Sequence, residues 1–368
     1  MKVNFNRSAL MEAFSLLTSV IPLRTPKPIL RCVKITAKGK EAQLFATDFE
    51  VGIIFTISEV QVEREGVTVI PADKLAAIVR ESTDEVLTVE SEETTCTIKG
   101  SDSQFTIYGH QPDQFPAEPH FEGKPDMMIN LTNLQTGIEQ CLFATAKEST
   151  RYAINGVLWE AKGKKLSFIA TDGRRLARCK VNLSETVEKS VEQSKIIVPA
   201  KTMSLLDKIG GSEKDVVNVK INGNQIIISC ANTVVSSSLV EGNFPKYEDI
   251  IPTDYDKKIS LSTETILSAV KRASLLTSEE SRGIKLSIEK NKITFSCRAP
   301  ETGDAIVEVA VDYKSEPIEI GFNPHFLIDV LRVIREPGLD MELGQPDRPG
   351  AIKSGQNFLY VLMPINLG

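Results

Sequence analysis

The chain has 368 residues, 41% hydrophobic and 25% charged, which suits two or three globular domains and excludes a disordered or low-complexity chain. No apolar run reaches membrane-spanning length, and the opening Met1-Lys2-Val3-Asn4-Phe5-Asn6-Arg7 lacks the apolar core of a secretory signal, so the expectation is a cytoplasmic protein with no membrane partner. A net charge of −6 argues against a chain that is basic throughout but leaves room for positive charge gathered on one face, and six cysteines without CxxC spacing fit a reducing compartment.

In chain order, Leu10, Phe14, Leu17 and Ile21 follow the helical period and predict a first helix. The turn Ala37-Lys38-Gly39-Lys40 leads into the alternating strands Gln43-Leu44-Phe45-Ala46 and Val51-Gly52-Ile53-Ile54-Phe55-Thr56-Ile57, and Leu75, Ile78 and Val79 mark a second helix. Residues 116–125 read as a linker. A third helix is predicted from Leu134, Ile138, Cys141, Leu142 and Thr145, and a fourth from Met203, Leu206 and Ile209. Between and after them come the turns Ala161-Lys162-Gly163-Lys164 and Asn222-Gly223-Asn224, the latter opening the strand Gln225-Ile226-Ile227-Ile228-Ser229. A second linker covers residues 251–256. Ile266, Leu267, Val270 and Ala273, then Phe326, Leu327, Val330, Leu331 and Ile334, complete six helices on a strand-rich framework.

The chain also repeats itself. Phe45-Ala46-Thr47-Asp48-Phe49-Glu50 returns 124 residues later as Ile169-Ala170-Thr171-Asp172-Gly173-Arg174. Val69-Ile70-Pro71-Ala72 returns as Ile197-Val198-Pro199-Ala200, and Phe115-Pro116 as Phe244-Pro245. Lys258-Ile259-Ser260-Leu261 opens a third segment much as Met128-Ile129-Asn130-Leu131 opens the second. A unit of this size buries its own core, unlike a solenoid repeat. The predicted class is therefore α+β, with three similar domains at 1–124, 125–252 and 253–368, each carrying two helices on one side of antiparallel sheets.

Basic residues recur on the outward helix faces: Lys74 and Arg80, Lys147 and Arg151, Lys201 and Lys208, Lys271 and Arg272, Arg332 and Arg335. Solvated helix faces ordinarily carry such charges, and the same pattern also suits a surface that meets phosphates. Asp48 and Asp172 in the copied turn read as caps of local backbone, with paired carboxylates for metal-assisted hydrolysis as the rival. No P-loop, zinc-protease or nucleophile-elbow motif occurs, and His110, His120 and His325 lack metal-ligand spacing. On the residues alone, an open DNA-binding monomer and a metal-dependent nuclease are the alternatives to a closed assembly.

Ala170-Thr171-Asp172-Gly173-Arg174-Arg175-Leu176-Ala177, Phe244-Pro245-Lys246-Tyr247 and Val361-Leu362-Met363-Pro364-Ile365 resemble the bacterial DNA polymerase III β subunit family, the sliding clamps. Met1-Lys2-Val3, the Arg24 to Leu30 loop and Arg151-Tyr152-Ala153-Ile154-Asn155-Gly156 follow in the family's order, so the likeness spans the chain. The resemblance implies three DNA-clamp domains closing into a head-to-tail dimeric ring with helices lining the hole, no catalytic residue, no metal and no cofactor. Its implied partners are duplex DNA, a second copy of the chain, the polymerase III catalytic subunit, the clamp loader, and other polymerases and repair proteins carrying short peptide motifs. It assigns DNA contacts to Arg24, Lys147, Arg151, Tyr152, Lys201 and Lys208. It assigns a client-peptide pocket to Ile154, Thr171, Gly173, Arg174, Arg175, Leu176, Pro245, Ile250, Val361, Leu362, Met363, Pro364 and Ile365. The seam falls to Lys74, Phe105, Ile107, Leu275, Leu276, Glu301 and Asp304, core packing being the other reading for the two leucines. Asp73, Ala153, Asp249 and the Asn366-Leu367-Gly368 tail depart from the family pattern.

Overall fold

The period-two stretches form strands, and every strand pairing is antiparallel. The structure, a computed structural model, describes residues 1–58, 60–147, 152–185, 195–277, 283–300 and 302–366. Arg151 and Glu301 lie outside these residues, as does the side chain of Tyr152. The described strands build one five-stranded, two eight-stranded and one four-stranded sheet.

Contact density divides the chain into two compact units, one of residues 1–134, 183–191 and 201–239, the other of 135–182, 192–200 and 240–368. The first holds the five-stranded sheet and an eight-stranded sheet in which Val51–Ser58 pairs with Thr233–Ser238, Phe55 opposite Thr233. The second holds the other eight-stranded sheet, where Arg175–Asn182 pairs with Phe358–Leu362, and the four-stranded sheet. Each eight-stranded sheet thus takes four strands from one segment of the repeat and four from the next. Val51–Ser58 can serve as such a joint because five consecutive residues of it are buried, as befits a strand covered on both faces.

Six α-helices are described: α1 Arg7–Leu17, α2 Ala72–Glu81, α3 Leu131–Leu142, α4 Ala200–Leu206, α5 Thr263–Ala273 and α6 Pro324–Val333. Their starts are chemically marked. Asn6 Oδ1 accepts from the Ser8 amide at 2.9 Å to cap α1, Asn323 does the same for His325 at the start of α6, and Pro324 fills the first position where no amide is needed. Leu10, Phe14 and Leu17 of α1, Ile266, Val270 and Ala273 of α5, and Leu327, Val330 and Leu331 of α6 are buried, so the apolar stripes face the sheets. Arg7 ties α1 to α2 by donating Nε to the Val79 carbonyl at 2.7 Å and a second nitrogen to Arg80 O at 2.8 Å, carbonyls that α2 leaves free at its end.

Four predicted helices stop short of the last residue of their stripe, α6 by one residue, which leaves Ile334 as its cap and Arg335 beyond it. Ile21, Thr145 and Ile209 follow the ends of α1, α3 and α4, where the chain tightens into three-residue turns such as Lys208 N to Leu205 O and Ile209 N to Leu206 O. Ile209 still reaches the interior. Lys208 is therefore on a turn rather than on a helical stripe with Lys201. The copied Phe-Pro landmarks do a copied job: Phe115 packs edge-on against Phe45 over Cys32, Ile54 and Val69, and Phe244 packs against the cluster of Leu158, Ile169 and Ile197.

Candidate functional site

The copied turn explains its own sequence. Thr47 Oγ1 and Asp48 Oδ1 accept from the amides of Phe49 at 3.0 Å, Glu50 at 3.0 Å and Val51 at 2.7 Å. In the second copy Thr171 and Asp172 accept from Gly173 at 3.1 Å, Arg174 at 2.9 Å and Arg175 at 3.0 Å. Both carboxylates are spent on backbone amides, and Asp48 also pairs with Lys201. Among the described residues no cluster of His, Cys, Asp or Glu is arranged to hold a metal ion.

What the second turn carries is an apolar surface. Leu176 faces Val361 across the strand pair, and both are buried among Leu158, Ile169, Ile197, Tyr247, Ala351 and Leu359. Ala153, Val240, Phe244, Ile251 and Tyr255 close over this cluster. Thr171, Ile154 and Leu362 are buried as well, Leu362 on the opposite face of its strand from Val361, so none of these residues opens to solvent. Of the other residues assigned to the client pocket, Gly173, Arg174, Ile250 at 37% exposure and Met363 at 41% are accessible, and Pro245, Pro364 and Ile365 are half-buried. The tail is held in place by Met363 N donating to Arg174 O and Ile365 N to Gly321 O, both at 2.9 Å.

Arg175 belongs to the frame. Its guanidinium bonds Asp172 at 3.0 Å, Asp329 at 2.8 Å and the Phe143 carbonyl at 2.8 Å, and lies 4.3 Å from the centre of the Phe326 ring. Burial works against its charge, and the Asp329 bond leads the interactions that outweigh it, so its pKa is raised. Its hydrogen bonds lock the turn to α6 and to the residue after α3, and Arg174 beside it is exposed.

The basic candidates are exposed, and some are engaged. Arg24 and Lys147 reach solvent, Lys201 leans on Asp48, and Lys208 donates to Ser19 Oγ at 3.0 Å. On the helices Lys74, Arg80, Lys271, Arg272 and Arg332 are exposed, whereas Arg335 pairs with Glu139 at 2.5 Å. Asp73 sits 3.9 Å from both Arg31 and Lys74 and dilutes the charge of α2.

Three family profiles match the chain end to end: the N-terminal, central and C-terminal domains of the DNA polymerase III beta subunit, over residues 1–119, 128–246 and 248–366. The chain belongs to the DNA polymerase III beta subunit family. A beta sliding clamp of Caulobacter vibrioides is 30% identical over the full length of both chains. A sliding clamp of Pseudomonas aeruginosa, solved bound to griselimycin, superposes with a TM-score of 0.93 at 28% identity, each chain covered completely. A putative beta subunit from Eubacterium rectale gives 0.92 at 29%, again over both whole chains. Three similar domains, each with helices on antiparallel sheets, are the fold of this family, and its function is that of a DNA sliding clamp and processivity factor without catalysis of its own.

The clamp's terminal sheets each end in a strand with an open edge. Gln104–Tyr108 closes the five-stranded sheet and Gly303–Ala310 the four-stranded one. Phe105, Tyr108 and Ile306 are exposed there at 43%, 77% and 71%, whereas Ile107, on the same face of its strand as Phe105, is buried. Leu275 is 77% exposed, which removes the core reading for it, and Leu276 is half-buried with its carbonyl accepting from Thr302. Asp304 lies 3.8 Å from Arg298. A cleft of about 430 Å³ beside the first edge is lined by Ala77, Ile78 and Phe105 together with polar residues that include Glu81, Asp84 and Asp102. Ile78, three residues after Leu75, lies at the edge of the buried stripe of α2 and is half-buried.

Proposed function

We propose that two copies of this chain join head to tail in a ring around duplex DNA, with domains at 1–124, 125–252 and 253–368, and that the ring tethers client proteins through the rim around Met363. The observation that carries the ring is the pair of unpartnered, apolar edge strands, Gln104–Tyr108 in one unit and Gly303–Ala310 in the other. An exposed apolar edge is a liability in a monomer and is satisfied by strand addition. A head-to-tail contact that repeats after half a turn closes with two-fold symmetry instead of growing into a fibre. Leu275 of one copy fits the cleft of Ala77, Ile78 and Phe105 on the other, with Lys74 facing the Glu301 and Asp304 stretch.

Enclosure separates retention from affinity. Arg24, Lys147, Arg151, Tyr152, Lys201 and Lys208 need only loose contacts to the uniform phosphate backbone, so the ring slides while topology keeps it on. The polymerase III catalytic subunit and other polymerases and repair proteins bind by short peptides that place apolar side chains over the buried floor of Leu176 and Val361, and a clamp loader opens the ring. Gly173 lets a peptide approach the backbone, and Met363 adapts to different side chains. A client so tethered meets its template at an effective concentration on the order of millimolar, so a weak contact suffices. A cytoplasmic setting follows from this role.

Light scattering is expected to give twice the chain mass. Leu275→Ala removes about 1.5–2 kcal/mol of apolar burial at each seam, about 3–4 kcal/mol over the two seams of the ring, raising the dissociation constant about a hundredfold or more. A monomer at micromolar concentration, or a Leu275→Ala dimer as tight as the parent, contradicts the seam.

A further inference from the structure

Beside the apolar cluster of Leu176 and Val361, with which it shares Tyr247, one face of the second unit's eight-stranded sheet carries a cavity of about 490 Å³ lined also by Glu160, Lys162, Lys165, Ser167, Arg178, Lys180 and Lys195. The register explains the gathering. Lys195, Glu160, Ser167 and Lys180 stand opposite one another across neighbouring strands, and Lys162 faces Lys165 at the end of the same hairpin. Like charges directly opposite each other weaken a strand pair, so the fold gains nothing from Lys162 facing Lys165. Glu160 is already held by Lys195 at 3.0 Å and by the Tyr247 hydroxyl at 2.7 Å, and Glu248 lies on the far side of Lys195 at 3.5 Å. Lys162, Lys165, Arg178 and Lys180 form no ion pair with any described carboxylate. Arg178 Nε is buried with no hydrogen-bond partner among the described residues.

We infer that this cavity is an anion site that takes a compact ligand with two or more linked phosphates, inorganic pyrophosphate or the phosphate tail of a nucleotide. The inference is independent of the ring. Arginine is the side chain suited to forked recognition of phosphate, and Arg178 brings a buried donor that an entering oxygen would satisfy. The four cations without an ion pair line one cavity of small-ligand size, on three neighbouring strands spanning about 10 Å, rather than running on as the stripe that an extended polyanion follows. Burial, then Arg178 and Lys165, already hold the Lys180 pKa below its ordinary value, so a bound anion relieves a strain present in the free protein.

Calorimetric titration of the intact protein with pyrophosphate at low salt tests this, with a dissociation constant on the order of 10–100 μM expected. Arg178→Gln with Lys180→Gln lowers affinity about tenfold or more, and Lys165→Ser, an exposed change that cannot unfold the sheet, lowers it about threefold. Glu160→Gln tightens binding, an effect that mere loss of structure does not produce. A nucleoside triphosphate binding more tightly than pyrophosphate identifies the nucleotide as the ligand, and equal binding identifies the linked phosphates alone. No heat with either at about 1 mM, affinity unmoved by the paired substitution, or preference for an acidic peptide or single-stranded DNA over both overturns the site.

Discussion

Phe49 and Gly173 occupy the same point of the copied turn, with φ of 79° and 86°, so the backbone demands a left-handed residue in both and only the second copy supplies glycine. Nothing lies within 4 Å of a Cβ built on Gly173, so the cost of a side chain there is conformational rather than steric. Gly173→Ala is expected to lower stability by about 1 kcal/mol in urea unfolding, with client binding weakened further by the methyl group at the rim. An unchanged midpoint contradicts the shared turn. Glu160 sets a pH response. Burial pushes its carboxyl up from 4.5, and the bonds from Tyr247 and Lys195 outweigh it, so its folded pKa lies below the ordinary value. The unfolded chain then binds the extra proton first, and the stabilisation is present above pH 4.5 and disappears as pH falls through the folded value. Melting temperature followed downward from pH 6 to about 3 is expected to fall less steeply in Glu160→Gln than in the parent, and parallel curves contradict this account.

Among the elements, the tail after Phe358–Leu362 is held to the Arg175 turn by one backbone bond from Met363 and to Gly321 by another from Ile365. Deleting residues 363–368 removes Met363, Pro364 and Ile365 from the proposed rim and none of the two edge strands. Client peptide binding in a fluorescence titration is expected to be lost with the dimer mass kept, and retained binding removes the rim from the site. The helices and the copied turn were legible from sequence because both are local: Leu10, Phe14 and Leu17 repeat at the helical period, and Asp48 and Asp172 bond amides within three residues. The pairing of Val51–Ser58 with Thr233–Ser238 was not legible, since partners so far apart in sequence are chosen by burial on both faces rather than by local pattern. Arg175 was misleading for a related reason. Its partners Phe143, Asp329 and Phe326 come from distant stretches, so a residue that sits in a binding motif turns out to brace it.

For the whole molecule, three copies of one domain make two eight-stranded sheets by lending strands to the next copy, and this leaves an unpaired strand only at the outer edges of the sheets. The edges at Gln104–Tyr108 and Gly303–Ala310 are the ones with exposed apolar side chains, and the proposed union of the two would let a chain of net charge −6 stay on DNA with little attraction for it. The most direct test is retention on DNA before and after the DNA is cut. Loaded on a nicked circular plasmid, the protein is expected to stay bound at about 1 M salt, where phosphate contacts are screened, and to run off when a restriction enzyme linearises the circle. Release that follows salt and ignores linearisation contradicts enclosure.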